Sequence, residues 1–295
     1  MFGRSLVVVL IAFGASAQEY IDERPVQVVG YDDHLMEPFL SRDGATLFFN
    51  NRNEPGPLTD LHVAEALGDG SFRYLGKLEG ANSGALDGVP TMDRAGNFYF
   101  VSPRSYADTK ATIHTGRYAS GRLAGVRLVP GSLSRDTTFW FNMDVEVSAD
   151  GNRLYATDNI QRYLLGGGIA QSNFFVAERR DGGFYRSEHS EEIFEAINTV
   201  KLEYAAAISE DELTIFFNRT DIEALRREDM RGIGIFMATR PTPDAAFESP
   251  KRIEAITGFV EGPTVSSDDC ILYYHRKNVE MFSLYRVTRE DCVQR

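Results

Sequence analysis

Residues 37–52 read EPFLSRDGATLFFNNR, and degenerate copies of that stretch occur four more times. They are DGVPTMDRAGNFYFVSPR (87–104), DVEVSADGNRLYATDN (144–159), EYAAAISEDELTIFFNR (203–219) and EGPTVSSDDCILYYHR (261–276). Aligning the turns places Ser41, Asp93, Ser148, Ser209 and Ser266 in register, at spacings of 52, 55, 61 and 57 residues. Each copy is a short apolar run, a polar tight turn and an aromatic or branched run such as Leu47-Phe48-Phe49, which reads as strand, turn, strand. A third strand fits residues 60–64, 112–115, 173–177, 234–238 and 283–287. A fourth fits 73–77, 126–129 and 251–253, and in the third copy falls around 186–193. Four strands in a period of this length mark the blade of a β-propeller. After Val287 the fifth copy has no fourth strand, whereas an unpaired candidate strand, 25–29, precedes the first. The expected fold is all-β: a five-bladed β-propeller of four-stranded antiparallel blades, closed by the N-terminal strand completing the last blade. Residues 18–295 form one domain in this reading, with blades centred on turns near 43, 95, 150, 211 and 268.

The segments SRDGATLFF, SADGNRLYA and EGPTVSSDDCILYY resemble the Ser-Pro-Asp-Gly-Lys repeats of TolB-like (WD-repeat-like) β-propellers, a family of exported bacterial proteins. The resemblance runs from about residue 25 to 290 and is confined to the repeats. It implies the fold and leaves the function open. Arg42, Arg94, Ala149, Glu210 and Ser267 replace the motif proline, and Glu212 and Asp269 replace the glycine of the last two turns.

Composition bounds the rest. With 43% hydrophobic and 25% charged residues in 295, the chain is globular. Its net charge of −12 argues against nucleic acid and anionic membrane surfaces as partners. The N-terminus, MFGRSLVVVLIAFGASAQE, has Arg4, an apolar run at 6–13 and small residues at Ala15 and Ala17. That is the pattern of a secretory signal peptide, cleaved after Ala17. The apolar run is shorter than the ~20 residues that span a bilayer. The mature chain is therefore expected to be exported, periplasmic or secreted, without a membrane span, and monomeric. Cys270 and Cys292 could form a disulfide in that compartment or stay as two buried thiols.

Candidate chemistry gathers at one end of the ring. An acid stands at or before the start of every innermost strand: Glu37, Asp87, Asp144, Glu203 and Glu261. Their offsets from the aligned turn residue are −4, −6, −4, −6 and −5, and the even ones predict a common face. Carboxylates around a channel mouth could bind a divalent cation such as calcium, hydrogen-bond a polyol, or act as general acid and base. Their recurrence equally suits turn caps or arginine pairs. Arg52, Arg104, Arg219 and Arg276 end the second strands, which favours structural ion pairs. The third copy has Asp158 there, which marks it as the informative exception. Residues 131–143, with Phe139-Trp140-Phe141, and the insertions 159–172 and 220–232 lie on the same rim, where Trp140 could stack on a sugar or anchor a partner. His34 could join Glu37 around a metal, but one histidine with scattered acids does not define a metal site. No phosphate loop, nucleophile elbow, HExxH or CxxC occurs.

The leading expectation is an exported propeller that binds a partner protein or cell-envelope component through its rim. The alternative is a carbohydrate-active or sugar-binding five-bladed propeller, glycosidase-like, using the channel-mouth carboxylates on a glycan. Glu261-Gly262-Pro263 is similar to the Glu-Gly-Pro around the acid of arabinanase- and levansucrase-type glycosidases, although it lies in the fifth copy and not the third. A metal-stabilised propeller of the lactonase kind is a third reading.

Overall fold

Each repeat folds as an antiparallel sheet whose strands follow chain order, in a computed structural model describing residues 19–53, 59–161, 169–227 and 229–293. Residues 1–17, where a signal peptide is expected, and the glycines at 166–168 lie outside the described residues. Ahead of the first repeat come β1 (Tyr20–Pro25) and β2 (Val28–Val29). The first repeat holds β3 (Met36–Leu40), β4 (Thr46–Asn50), β5 (Leu61–Ala66) and β6 (Phe72–Lys77). The second holds β7 (Gly88–Met92), β8 (Asn97–Val101), β9 (Ile113–Ala119) and β10 (Arg122–Leu128). After β11 (Gly131–Ser132), the third holds β12 (Trp140–Val147), β13 (Arg153–Gln161), β14 (Ile169–Arg180) and β15 (Gly183–Arg186). The fourth holds β16 (Leu202–Ile208), β17 (Thr214–Thr220), β18 (Ile233–Thr239) and β19 (Lys251–Arg252). The fifth has β20 (Val260–Val265), β21 (Ile271–Lys277) and β22 (Phe282–Arg289). A single bridge, Ser172 to Leu202, joins the third and fourth sheets.

Two strands differ from the sequence reading. The strand completing the last sheet is β1, antiparallel on β22 with Tyr20 opposite Arg289. Within the expected 25–29, Val28 and Val29 instead run parallel to β6, opposite Phe72 and Arg73. The charges of Ile-Asp-Glu-Arg obscured β1, yet they have partners: Glu23 accepts from Tyr274 Oη and pairs with Arg276 Nη1 at 2.6 Å. Tyr20 packs edge-on to Phe216 and donates to the Asp269 carbonyl at 2.9 Å. In the third repeat the fourth strand is β15, while Ser190–Ile193 is a short helix. Ile193, Phe194 and Ile197 from that stretch fill the core with Phe174 and Phe217. Cys270, just before β21, is disulfide-bonded to Cys292, beyond β22.

Five hydrophobic clusters fill the spaces between sheets. Phe39 and Phe48 meet Phe98; Tyr99 and Val101 meet Leu154; Phe174 meets Ile215; Phe216 and Ile235 meet Leu272. The fifth joins the first repeat to the last, Leu47 and Phe49 against Tyr273 and Leu284. The innermost strands β3, β7, β12, β16 and β20 touch in that order, and β20 touches β3.

Two repeated devices explain the motif. In four turns the serine hydroxyl donates to the aspartate two residues on: Ser41 to Asp43, Ser148 to Asp150, Ser209 to Asp211 and Ser266 to Asp268. The same oxygen accepts the amide five residues on, as from Thr46 at 2.9 Å. The second device joins neighbouring repeats. Each inner strand is irregular in register, and at four of five the residue four before the turn is left-handed: Glu37 (φ 44), Val89 (54), Ala205 (51) and Gly262 (65). The bulge turns that residue's N–H towards the preceding sheet. There Asn50 Oδ1 accepts from Val89 (3.0 Å), Asn218 Oδ1 from Gly262 (2.9 Å) and His275 Nδ1 from Glu37 (3.0 Å). These acceptors, all fully buried, occupy one column, nine residues past the turn.

Asn218 also donates to the Val260 carbonyl at 2.7 Å. Asn218→Ala orphans a buried N–H and a buried C=O, so it should destabilise by about 2–4 kcal/mol. Urea unfolding checks this; a loss below ~0.5 kcal/mol, within the range of a neutral surface change, contradicts it.

Candidate functional site at the axial cavity

The left-handed column also shapes a cavity. A space of about 20 Å³ lies where the five inner strands meet, lined by Glu37, Val89, Asp144, Ala205 and Gly262 and by the residues that follow them. Beside it Arg42 reaches from the first repeat to Glu146 Oε1 (2.7 Å) and the Val147 carbonyl (2.6 Å) in the third, and to the Ile208 carbonyl (3.4 Å) in the fourth. Thr91 adds a hydroxyl to Glu146 Oε2 at 2.6 Å. The residue standing where the TolB-like motif has proline is thus a buried cross-brace.

The five acids fall into two classes. Asp87 accepts from Arg104 and from Ser83 N (2.6 Å) and Oγ (2.9 Å). Glu203 accepts from Arg219 Nε (2.8 Å) and from Thr199 Oγ1 (2.6 Å). These are local ion pairs. Glu37, Asp144 and Glu261 are different: among the described residues none of them pairs with an arginine or lysine. Glu37 accepts from Asn53 Nδ2 at 2.8 Å. Asp144 accepts from Thr157 Oγ1 at 3.0 Å and from the Ala205 N–H. Glu261 accepts from Tyr204 Oη at 2.5 Å and lies 3.4 Å from His275 Nε2. The expected common face fails because the bulge takes in offset −4 and leaves −6 outside it. Glu203, at −6, stays in the ladder opposite Arg219, while Glu37 and Asp144, at −4, turn to the cavity.

Burial and like charge set the protonation. Asp144 is pushed up to about 7 by burial, then by the charges of Glu37 and Glu261, against its bonds from Thr157 and Ala205. Glu37 is raised mainly by burial, with Glu261 adding to it and His275 and Asn53 opposing. Burial and Glu261 raise the Tyr204 phenol, so it donates. A protonated carboxyl at neutral pH beside a second carboxylate is a general acid–base arrangement. Among the described residues, no three or more His, Cys, Asp or Glu stand close enough to hold a metal ion.

The remaining candidates lie away from this cluster. Asp158 is neutralised by Arg135 (2.6 Å) and by both terminal nitrogens of Arg186, so the exception in the arginine column is a swap of acid for base. Arg52 faces Asp33 at 3.5 Å, and Arg276 faces Glu23. Trp140 is half-buried under Arg135, 4.8 Å from its ring. His34 turns to β22, where Nδ1 accepts from Phe282 N at 3.4 Å, not to Glu37. A larger space of about 300 Å³ opens among the turns, lined by Arg94, Ala95, Ala149, Asp150, Glu210 and Glu212. Its charged groups are each engaged: Arg94 pairs with Glu210 at 2.7 Å, Glu212 accepts from Tyr155 at 2.5 Å, and Asp150 accepts from Ser148 and Asn152. Tyr204, His275 and Asn53 were not singled out by the sequence reading. The signal for His275 was a polar residue recurring in an apolar strand.

Solved structures of similar shape bear on the fold. One described as a glycoside hydrolase matches 92% of this chain and 92% of its own, with a TM-score of 0.60 and 12% identity. The α-L-arabinanase of Cellvibrio cellulosa, solved with arabinohexaose, matches over 86% and 91%, with a TM-score of 0.52 and 12% identity. TolB from Acinetobacter baumannii matches over 88% and 55% at a TM-score of 0.44 and 11% identity. No protein-family model and no curated protein sequence matches the chain. The architecture is all-β and of the propeller type; no family assignment follows.

Asp144 gives a pH signature. Its folded value, about 7 against 3.8, means that the folded state keeps a proton the unfolded chain releases. That contribution is whole below pH ~4 and is lost as pH rises through 7, a difference on the order of 4 kcal/mol. Asp144→Asn removes the ionisation, so its stability relative to the wild type should be greater at pH 8 than at pH 4. Urea midpoints at both pH values decide; an unchanged difference between the two proteins contradicts it.

Proposed function

We propose that the chain is an exported five-bladed propeller, closed by β1 in its last blade, that acts on a glycan at the axial mouth. Asp144 is the proton donor, Glu261 the partner carboxylate, and Glu37 the neighbouring acid that keeps Asp144 protonated. The carrying observation is that Glu37, Asp144 and Glu261, alone of the five equivalent acids, have no arginine or lysine partner among the described residues and bear on one another's charge, with Glu37 and Asp144 lining one cavity and Asp144 raised to about 7. The likeness to propeller glycoside hydrolases supports the same reading at the level of fold. Two carboxyl groups of unlike protonation are what glycosidic cleavage requires. A cavity of about 20 Å³ holds a water and not a sugar ring, so the glycan would dock above it with one bond at the mouth.

That small volume also favours a second reading, in which the rim, with Phe139 47% and Val279 97% exposed, binds a partner protein or cell-envelope component without catalysis. A glycan panel separates the two. Reducing-end release and calorimetry should find one polysaccharide that the wild type cleaves and that Asp144→Asn binds but cleaves at least ~100-fold more slowly. No cleavage and no binding across the panel, or full activity in the variant, overturns the glycan reading.

A further inference from the structure

His275 occupies the column in which Asn50 and Asn218 sit, and makes the same bond to the next sheet. An asparagine would suffice for that bond. The asparagines' amides then go to carbonyl oxygens: Asn50 to Arg52 O and Asn53 Oδ1, Asn218 to Val260 O. The second nitrogen of His275 goes to a carboxylate. A backbone N–H can only donate, so Nδ1, accepting from Glu37 at 3.0 Å, is unprotonated. The ring proton therefore sits on Nε2, 3.4 Å from Glu261 Oε2, while Tyr204 holds Oε1.

Position 262 is fitted to this arrangement. A Cβ there would come within 2.7 Å of Glu37 Oε2 and 3.0 Å of His275 Nδ1, and glycine leaves the space. The groups facing His275 are Glu37 on β3, Glu261 on β20 and the Phe282 ring on β22, edge-on at 5.2 Å. Tyr204 on β16 and Asp144 on β12 reach it only through Glu261 and Glu37.

We propose that His275 is a positioning residue: one ring nitrogen fixes the bulge that aims Glu37, and the other delivers a permanent donor that orients Glu261. The inference deepens the glycan reading and rests on it for the catalytic consequence. The blade-joining bond and the Glu261 bond are separable, because asparagine keeps the first and lacks the second.

The test compares His275→Asn and His275→Leu in the full-length mature chain. His275→Leu should lower the thermal midpoint by several degrees at every pH. His275→Asn should lose less, about 3 °C, because it keeps the bond to Glu37 N and lacks only the donor to Glu261. On a cleaved glycan, His275→Asn should lower kcat about tenfold with little change in KM, and move the acid limb of the pH profile by roughly one unit. A His275→Asn protein that matches the wild type in its midpoint and in any turnover overturns the proposal and leaves His275 a blade joint. A wild type without glycan turnover removes the glycan reading alone, because the midpoints still judge the two bonds.

Discussion

A buried amide that has left its own ladder must find an acceptor elsewhere, and this requirement organises the molecule. The bulge in an inner strand frees one N–H, and at Glu37, Val89 and Gly262 the side chain that accepts it belongs to the neighbouring sheet, whereas the Asp144 N–H is accepted by Thr157 of its own sheet. The same bulge aims the side chain four residues before each turn at the axis. Joining the sheets and furnishing the axial site are therefore one event in the backbone. What stands in that column decides what the axis can do. Valine, alanine and glycine make it inert; Glu37 and Asp144 make it acidic.

Charge inside such a site has to be contained. Arg42 and Glu146, with side chains 6% and 5% exposed, are a costly pair to bury, and their further bonds to Val147, Ile208 and Thr91 are what makes the burial tolerable. The brace spans three repeats and takes one basic group out of reach of Glu37 and Asp144. Asp87 and Glu203 are silenced by their own arginines. The remaining three acids have only neutral donors and one another, so burial and mutual repulsion raise two of them.

The repeats were legible because the Ser-x-Asp turn is local chemistry: hydroxyl, carboxylate and amide lie within five residues. The strand on β22 was legible as a need, but its position was not. Tyr20–Pro25 looks polar, and only the tertiary partners of Glu23 and Tyr20 make it a strand. All five acids were visible, but their division was not, since counting even and odd positions assumes an unbroken pleat. The arginine swap at Asp158 was hidden because Arg186 arrives from an outer strand 28 residues away. The column of Asn50, Asn218 and His275 was in plain view, yet polar residues inside apolar strands gain meaning only once their partners in the next sheet are known.

The account stands on Asp144, Glu37 and Glu261 forming one coupled cluster while Asp87 and Glu203 remain apart. Carboxyl-carbon NMR titration of protein labelled at Asp and Glu observes this directly. The account predicts one aspartate resonance titrating near 7, assigned to Asp144, whose midpoint falls when Glu37 is replaced by glutamine and stays put when Glu203 is. An Asp144 that titrates in the ordinary carboxylate range near 4, or one indifferent to Glu37, would contradict it.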